Sequence, residues 1–420
     1  MCEASSLRST IKLMEAGASA IYHPWIEAND WAGRPMLLER HKGKSLLGDW
    51  YYVPILIRRP HALHKEDKLA LTFYAMILEK VQGVLPNEPA LVNEDLERLT
   101  IHAEEFTSEV NDVMARLARI RDGEAPEIVY RKACLDTSPW GELCERQAKE
   151  HNDVALLFNV DLKKLRALRE QGITTVERAA ELDPEALEGR EAGLSHKSLV
   201  LIKQQAQALS EPSVIIRRKF ETPLAPLEIF FDIESYPQTD TDYLFGFWLR
   251  ETDTQKAWGI SFVAKRLEDE EEMWHGFLAW LSTLPNEYRV YHYAMHEVER
   301  MHVLAKRYGD VGHPDLERFL SRMVDLKEPT REDVVFPLYI YSLKHIGHVI
   351  GAHWTGSVKG GGASIDVYDH WLKRHQKKDL DALIQYNQED VIATMKLLDW
   401  LRMYATEPEK KYEEPFVWMM

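Results

Sequence analysis

The run "EIFFDIESY", residues 228–236, constrains this chain most. Leu227, Ile229, Phe230, Phe231 and Ile233 have the continuous apolar character of a buried strand. Side chains two apart in a strand share a face, so Asp232 and Glu234 project together from it. Two unpaired anions at the end of a core strand are costly. A divalent cation would neutralise both. The competing reading ends the strand at Phe231 and leaves both acids in a solvated turn before Pro237.

Partners for these acids stand downstream. "DALIQYNQEDVIATMKLLDWL", 381–401, has helical periodicity through Leu383, Tyr386, Asp390, Ala393 and Leu397. Tyr386 and Asp390 are four apart and share an otherwise apolar helix face. Between the two acidic segments lies "YRVYHYAMHEVERM". There a strand ends near Tyr293 and Glu297 opens the next helix, with Glu299 as a competing acid. Singly, each has a plainer explanation: a core tyrosine, a surface aspartate, a first-turn glutamate favoured by the helix dipole. Together, in this order, they form a spaced set.

That set resembles the RNase H-like exonucleases of the DEDD superfamily, in the subclass with tyrosine in place of histidine. Asp232 and Glu234 match its first motif, and Tyr386 with Asp390 match its third. Gln385 stands where a histidine-type site carries its histidine. Glu297 takes the second-motif aspartate position, one methylene longer. Asp325, in "MVDL", matches a further acidic position of the region. The resemblance spans about 225–405 and implies a mixed sheet flanked by helices. It implies hydrolysis of phosphodiester bonds from a 3′ end, in single-stranded DNA or RNA, with two Mg²⁺ or Mn²⁺ ions. Hard oxygen ligands suit those ions, and a pair roughly 3.5–4 Å apart aligns attacking water and leaving oxygen. In this scheme Asp232 bridges both ions and Glu234 binds one. Asp390 completes the inner site, Glu297 acts directly or through water, and Tyr386 orients the attacking water.

The front half resembles the RecB-like putative nuclease family. It carries "GRPMLLERHKGKSLLGDWYYVPILIRRP" followed by "KEDKLALTFYAMILEKVQG". Met36, Leu56, Arg58 and Ala70 occupy the positions where that family's PD-(D/E)XK site has an acid, an acid, a lysine and a glutamine. Methionine and leucine cannot bind a hard cation, so this first site is expected to be inactive, with Arg58 or Arg59 left to hold phosphate. An α/β domain that never was a nuclease is the other reading. Cys2, Cys134 and Cys144 fall short of a four-thiolate iron–sulfur shell, with Thr137 where a fourth would stand, so no intact cluster is expected. "FNVDLKKLRALREQGITTVERAAELDP", 158–184, is similar to a helix-hairpin-helix, set against a plain helical pair.

The expected organisation is a reduced PD-(D/E)XK-like α/β domain over 1–150, a helical region over 151–212, and an RNase H-like domain over 213–420. Helix is expected over 65–83 and 98–120. "GSVKGGG", 356–362, lacks the spacing of a phosphate loop and reads as a mobile connection, with Lys359 in reach of a phosphate. A net charge of −16 opposes generic polyanion binding, although acids at a metal site count toward it. The basic stretches 57–59, 216–219, 306–307 and 373–378 are each read as solvated faces. No apolar run approaches a membrane span, and the start of the chain lacks a signal peptide's apolar core. A cytoplasmic protein without membrane contact is expected. The alternative function is a nucleic-acid-binding or scaffold subunit of a repair or defence complex.

Overall fold

The computed structural model describes residues 2–4, 6–58, 63–93, 95–124, 129–131, 138–189 and 194–413. Its residues form two compact units, Met1–Glu127 and Ile128–Met420. Cys134, Thr137 and Arg59 lie outside the described residues, as does the side chain of Cys2.

The first unit is built on a six-stranded sheet. Its order is Cys2–Glu3, Ala20–Tyr22, Leu37–Ser45, Gly48–Ile57, Ala90–Val92 and Arg98–Thr100. The Lys65–Gln82 helix covers it and stops at Gly83, whose φ of +73° suits a glycine at a helix end. Gln82, fully buried, donates to the carbonyl of Tyr52 and accepts from its amide, tying the end of this helix to the Gly48–Ile57 strand. The helix expected over 98–120 begins later, at Thr107. Residues 98–100 are the edge strand instead, because Leu99 pairs with Leu91 and packs into the core.

The second unit starts with short helices. Leu162–Glu170, Val176–Glu181 and His196–Ser210 are capped by Asp161, Thr175 and Ser195. Tyr130 and Ala148 share one core with these helices, so the segment after 128 belongs with them. Then comes a five-stranded sheet: β1 (Leu227–Tyr236), β2 (Thr241–Glu251), β3 (Ala257–Val263), β4 (Tyr288–His292) and β5 (Met323–Asp325). The order is β3-β2-β1-β4-β5. β1, β2 and β3 run antiparallel, whereas β4 and β5 run parallel to β1. "SVIIRRKF" contributes only Ser213–Ile216, to a separate small sheet with Val334–Val335 and Lys411–Glu413.

The pleat of β1 creates two faces. Ile229, Phe231 and Ile233 point into an aromatic core with α1 (Glu270–Leu281), where Phe231 and Phe247 stack at 4.5 Å. Glu228, Phe230, Asp232 and Glu234 alternate with them. That second face meets α5 (Lys377–Tyr404), after α2 (His296–Tyr308), α3 (Leu343–Val349) and α4 (Gly361–Arg374) in chain order. At its far end the buried Glu228 is bridged by Arg250 and Arg402, both at 2.7 Å, and Arg250 also grips Asp399. These pairs lock α5 onto the sheet. Among the described residues no helix is long and apolar enough to cross a membrane.

Candidate active site

β1 outruns β4. Their pairing stops at Phe230–Tyr291, whereas β1 continues to Tyr236. Asp232 and Glu234 are therefore strand residues and not part of a turn, and they flank a gap beside the end of β4. Into this gap α5 brings Asp390. Asp232, Glu234 and Asp390 each offer a carboxylate oxygen, all within 4.8 Å of one another. Asp390 and Glu234 are only 8% exposed.

Glu297 lies in the first turn of α2, 3% exposed, and Glu299 faces solvent. Glu297 stands close enough to Asp232 to help raise the proton affinity of that carboxylate. His292 Nδ1 lies 3.3 Å from Glu297 Oε2. The turn before α2 is strained: Ala294 has φ +91°. Asp325 holds it by accepting from the amides of Ala294 and Lys327, both at 2.8 Å. Asp325 thus shapes the approach to Glu297 and stands apart from the three-carboxylate cluster. Arg300 of α2 grips Asp240 and Asp242 of the β1–β2 hairpin, fixing α2 against β1.

Crowded buried carboxylates resist ionisation. Burial, then repulsion from Glu234, Asp390 and Glu297, holds Asp232 well above the usual carboxylate range. Burial and Asp390 push Glu234 up to about 8, against the opposing hydrogen bond from Ser364. Burial pushes Asp390 up to about 6, with the Trp354 hydrogen bond and the Lys344 charge pulling back. The donor set is all hard oxygen and short of positive charge, which fits Mg²⁺ or Mn²⁺. Tyr386, 5% exposed, is hydrogen-bonded to Asp390 and is pushed far above its ordinary range by burial and the three acids.

Sequence reasoning missed the groups that aim these acids. Asn387 Nδ2 donates to Asp232 Oδ2 at 2.7 Å. Ser364 Oγ donates to Glu234 Oε2 at 2.9 Å. Trp354 Nε1 donates to Asp390 Oδ1 at 2.6 Å. Lys344 Nζ sits 4.3 Å from the centre of the Tyr386 ring. One signal for Asn387 stood in "YLFGFWLR". Gly246 pairs directly with Asp232, and a Cβ there would fall 1.4 Å from Asn387 Oδ1. A glycine inside a core strand marks such a close approach.

The other expected sites resolve differently. Met36, Leu56 and Ala70 come together in one apolar cluster with Leu71 and Tyr74. Arg58 beside it pairs with the buried Asp67 at 2.9 Å. Cys144 is a free, half-buried thiol on the Gly141–Glu150 helix. Most of the basic stretches are spent on ion pairs: Arg218 on Glu332 and Asp333, Arg307 on Glu270, Lys373 on Asp369. The 356–362 stretch is not a free connection. Gly361 and Gly362 open α4, and Glu389 anchors the amides of Thr355 and Gly356. Lys359 is exposed.

Residues 229–402 match the family model RNase_H_2, of the RNase_H superfamily. No curated protein and no solved structure gives a match. The matched segment runs from β1 to the end of α5 and encloses every acid of the cluster. The second unit of this chain therefore carries an RNase H-like domain, and its carboxylate cluster is placed to hold a divalent metal.

Proposed function

We propose that this protein is a metal-dependent 3′–5′ exonuclease acting on single-stranded DNA or RNA, of the DEDD superfamily's tyrosine subclass. The observation that carries the reading is the convergence of Asp232, Glu234 and Asp390 within 4.8 Å, with Tyr386 on the same helix as Asp390. Mg²⁺ or Mn²⁺ held by Asp232, Glu234 and Asp390 would activate water and stabilise charge on the phosphate, with two ions sharing the work.

The chain's own groups prepare that chemistry. Asn387, Ser364 and Trp354 each occupy one carboxylate lone pair and so fix which oxygens remain to face a cation. Burial and the neighbouring acids strengthen the hold of Tyr386 on its proton, which supports a role in orienting water. Glu297 faces Asp232 and could act on a bound metal directly or through water, and metal binding would release protons from the crowded acids.

The first unit is proposed as a RecB-like nuclease domain whose centre has been filled. The meeting of Met36, Leu56 and Ala70 in one cluster supports this, because three of the four positions expected to form a site do lie together. The test is degradation of 3′- and 5′-labelled single-stranded DNA and RNA with Mn²⁺, with Mg²⁺ and with EDTA, beside Asp232→Ala and Asp390→Ala. Metal-dependent shortening from the 3′ end, lost in both variants, is expected. Binding without cleavage of either substrate would favour the scaffold function instead.

A further inference from the structure

The acid cluster contains a cation of its own. Lys344, near the start of α3, buries its ammonium with no hydrogen-bond partner. Its Nζ lies 4.3 Å from the centre of the Tyr386 ring and 5.8 Å from that of Trp354. Both rings belong to residues that bond Asp390. Burying an unpaired ammonium is costly. Two aromatic faces and the nearby charges of Asp390, Glu234 and Glu389 offset that cost. Burial lowers the proton affinity of Lys344 on balance, with Asp390, Glu234 and Glu389 pulling the other way. A lysine kept only for packing would send its ammonium to solvent, as long cationic side chains do wherever they can.

We propose that Lys344 belongs to the reaction centre as a fixed cation, which opposes metal loading at Asp390 and Glu234 and adds positive charge for the substrate phosphate. The inference rests on the nuclease reading and deepens it. The ammonium balances the acids before a metal arrives. A divalent ion entering the cluster is then repelled by the lysine charge that acts on Asp390 and Glu234. When the phosphate binds, that charge is already in place and needs no reorganisation, the condition under which fixed charges assist most. Removing it should therefore move two measurable quantities in opposite directions: metal should bind more tightly, and cleavage should slow.

The experiment is calorimetric titration of the full chain with Mn²⁺ alone, for wild type, Lys344→Met, Lys344→Arg and Asp232→Ala, followed by single-turnover cleavage. Wild type should bind Mn²⁺ and Asp232→Ala should not. Lys344→Met should bind at least about tenfold more tightly and cleave about 10²-fold more slowly. Lys344→Arg should keep wild-type affinity. A merely structural lysine would loosen metal on removal. Unchanged or weaker Mn²⁺ binding in a folded Lys344→Met, or tighter binding with an undiminished rate, would overturn the proposal and leave the nuclease reading standing. Absence of Mn²⁺ binding by wild type would overturn both. Lys344→Gln replaces Lys344→Met if the latter does not fold.

Discussion

Each unit of this chain gathers three side chains at one point, and the two gatherings are chemical opposites. In the first unit Met36, Leu56 and Ala70 meet among other apolar groups and need nothing further. In the second, Asp232, Glu234 and Asp390 meet at a distance where each raises the proton affinity of the others. The first arrangement stabilises the fold by burial. The second costs stability, and a costly arrangement held by Asn387, Ser364 and Trp354 is the mark of a site. Under the proposed function, the difference contrasts a centre filled by apolar side chains with one left open to a cation.

The contrast breaks first at Asp232. Asp232→Asn should lower cleavage by about 10³-fold, since several kcal/mol of metal-borne stabilisation would go with it. The metal-free variant should melt at the same temperature as wild type or higher, because an acid that is costly to ionise in the crowded site is gone. Lower thermal stability together with full activity would show Asp232 to be structural.

Leu56→Glu is the mirror experiment. An unpaired carboxylate placed in the apolar cluster should cost about 3–5 kcal/mol in denaturant unfolding and give no new cleavage. A neutral result would mean that the first unit can still accommodate an acid there.

Gly246→Ala sharpens the comparison at the next level. The added methyl must displace Asn387 from Asp232, so metal affinity or activity should fall about 10–100-fold. Unfolding of this variant should be easier by about 1–3 kcal/mol. Wild-type activity in Gly246→Ala would remove Asn387 from the account of the site.

The smallest effect is a pH dependence. Glu234 at about 8, Asp390 at about 6 and Asp232 well above its usual value mean that the folded, metal-free protein holds more protons than the unfolded chain between about pH 4 and 8. Stability from this site is thus present at low pH and lost as pH rises through that window. The melting temperature in EDTA should fall over pH 5 to 8, Glu234→Gln should flatten the slope, and Mn²⁺ should remove it. An unchanged slope in Glu234→Gln would place the pH dependence elsewhere.

The acids were legible because their spacing is local. Asp232 and Glu234 share one strand face, Tyr386 and Asp390 one helix face, and α2 presents Glu297 inward and Glu299 outward. The helix over 65–82 and its glycine stop were equally plain. The supporting groups were not legible. Lys344, Trp354 and Ser364 arrive from a segment whose path over the sheet is set by tertiary packing and by Glu389, which no periodicity encodes. "MVDL" did not read as a strand, because its three residues pair only after β4 exists to receive them.

The long α5 helix has one more consequence. Its 28 residues carry the site near the middle and two anchors near the end, Asp399, which Arg250 of β2 grips, and Arg402, which grips Glu228. Twelve residues, or about 18 Å, separate Asp390 from Arg402. What this stretch stores is angular phase more than length: one residue gained or lost between anchor and acid would turn Asp390 by about 100° away from β1, whereas a whole turn would nearly restore its heading. The helix is thus a gauge: substitutions in its inner segment that keep the buried face leave the heading of Asp390 unchanged, whereas a change in residue count does not.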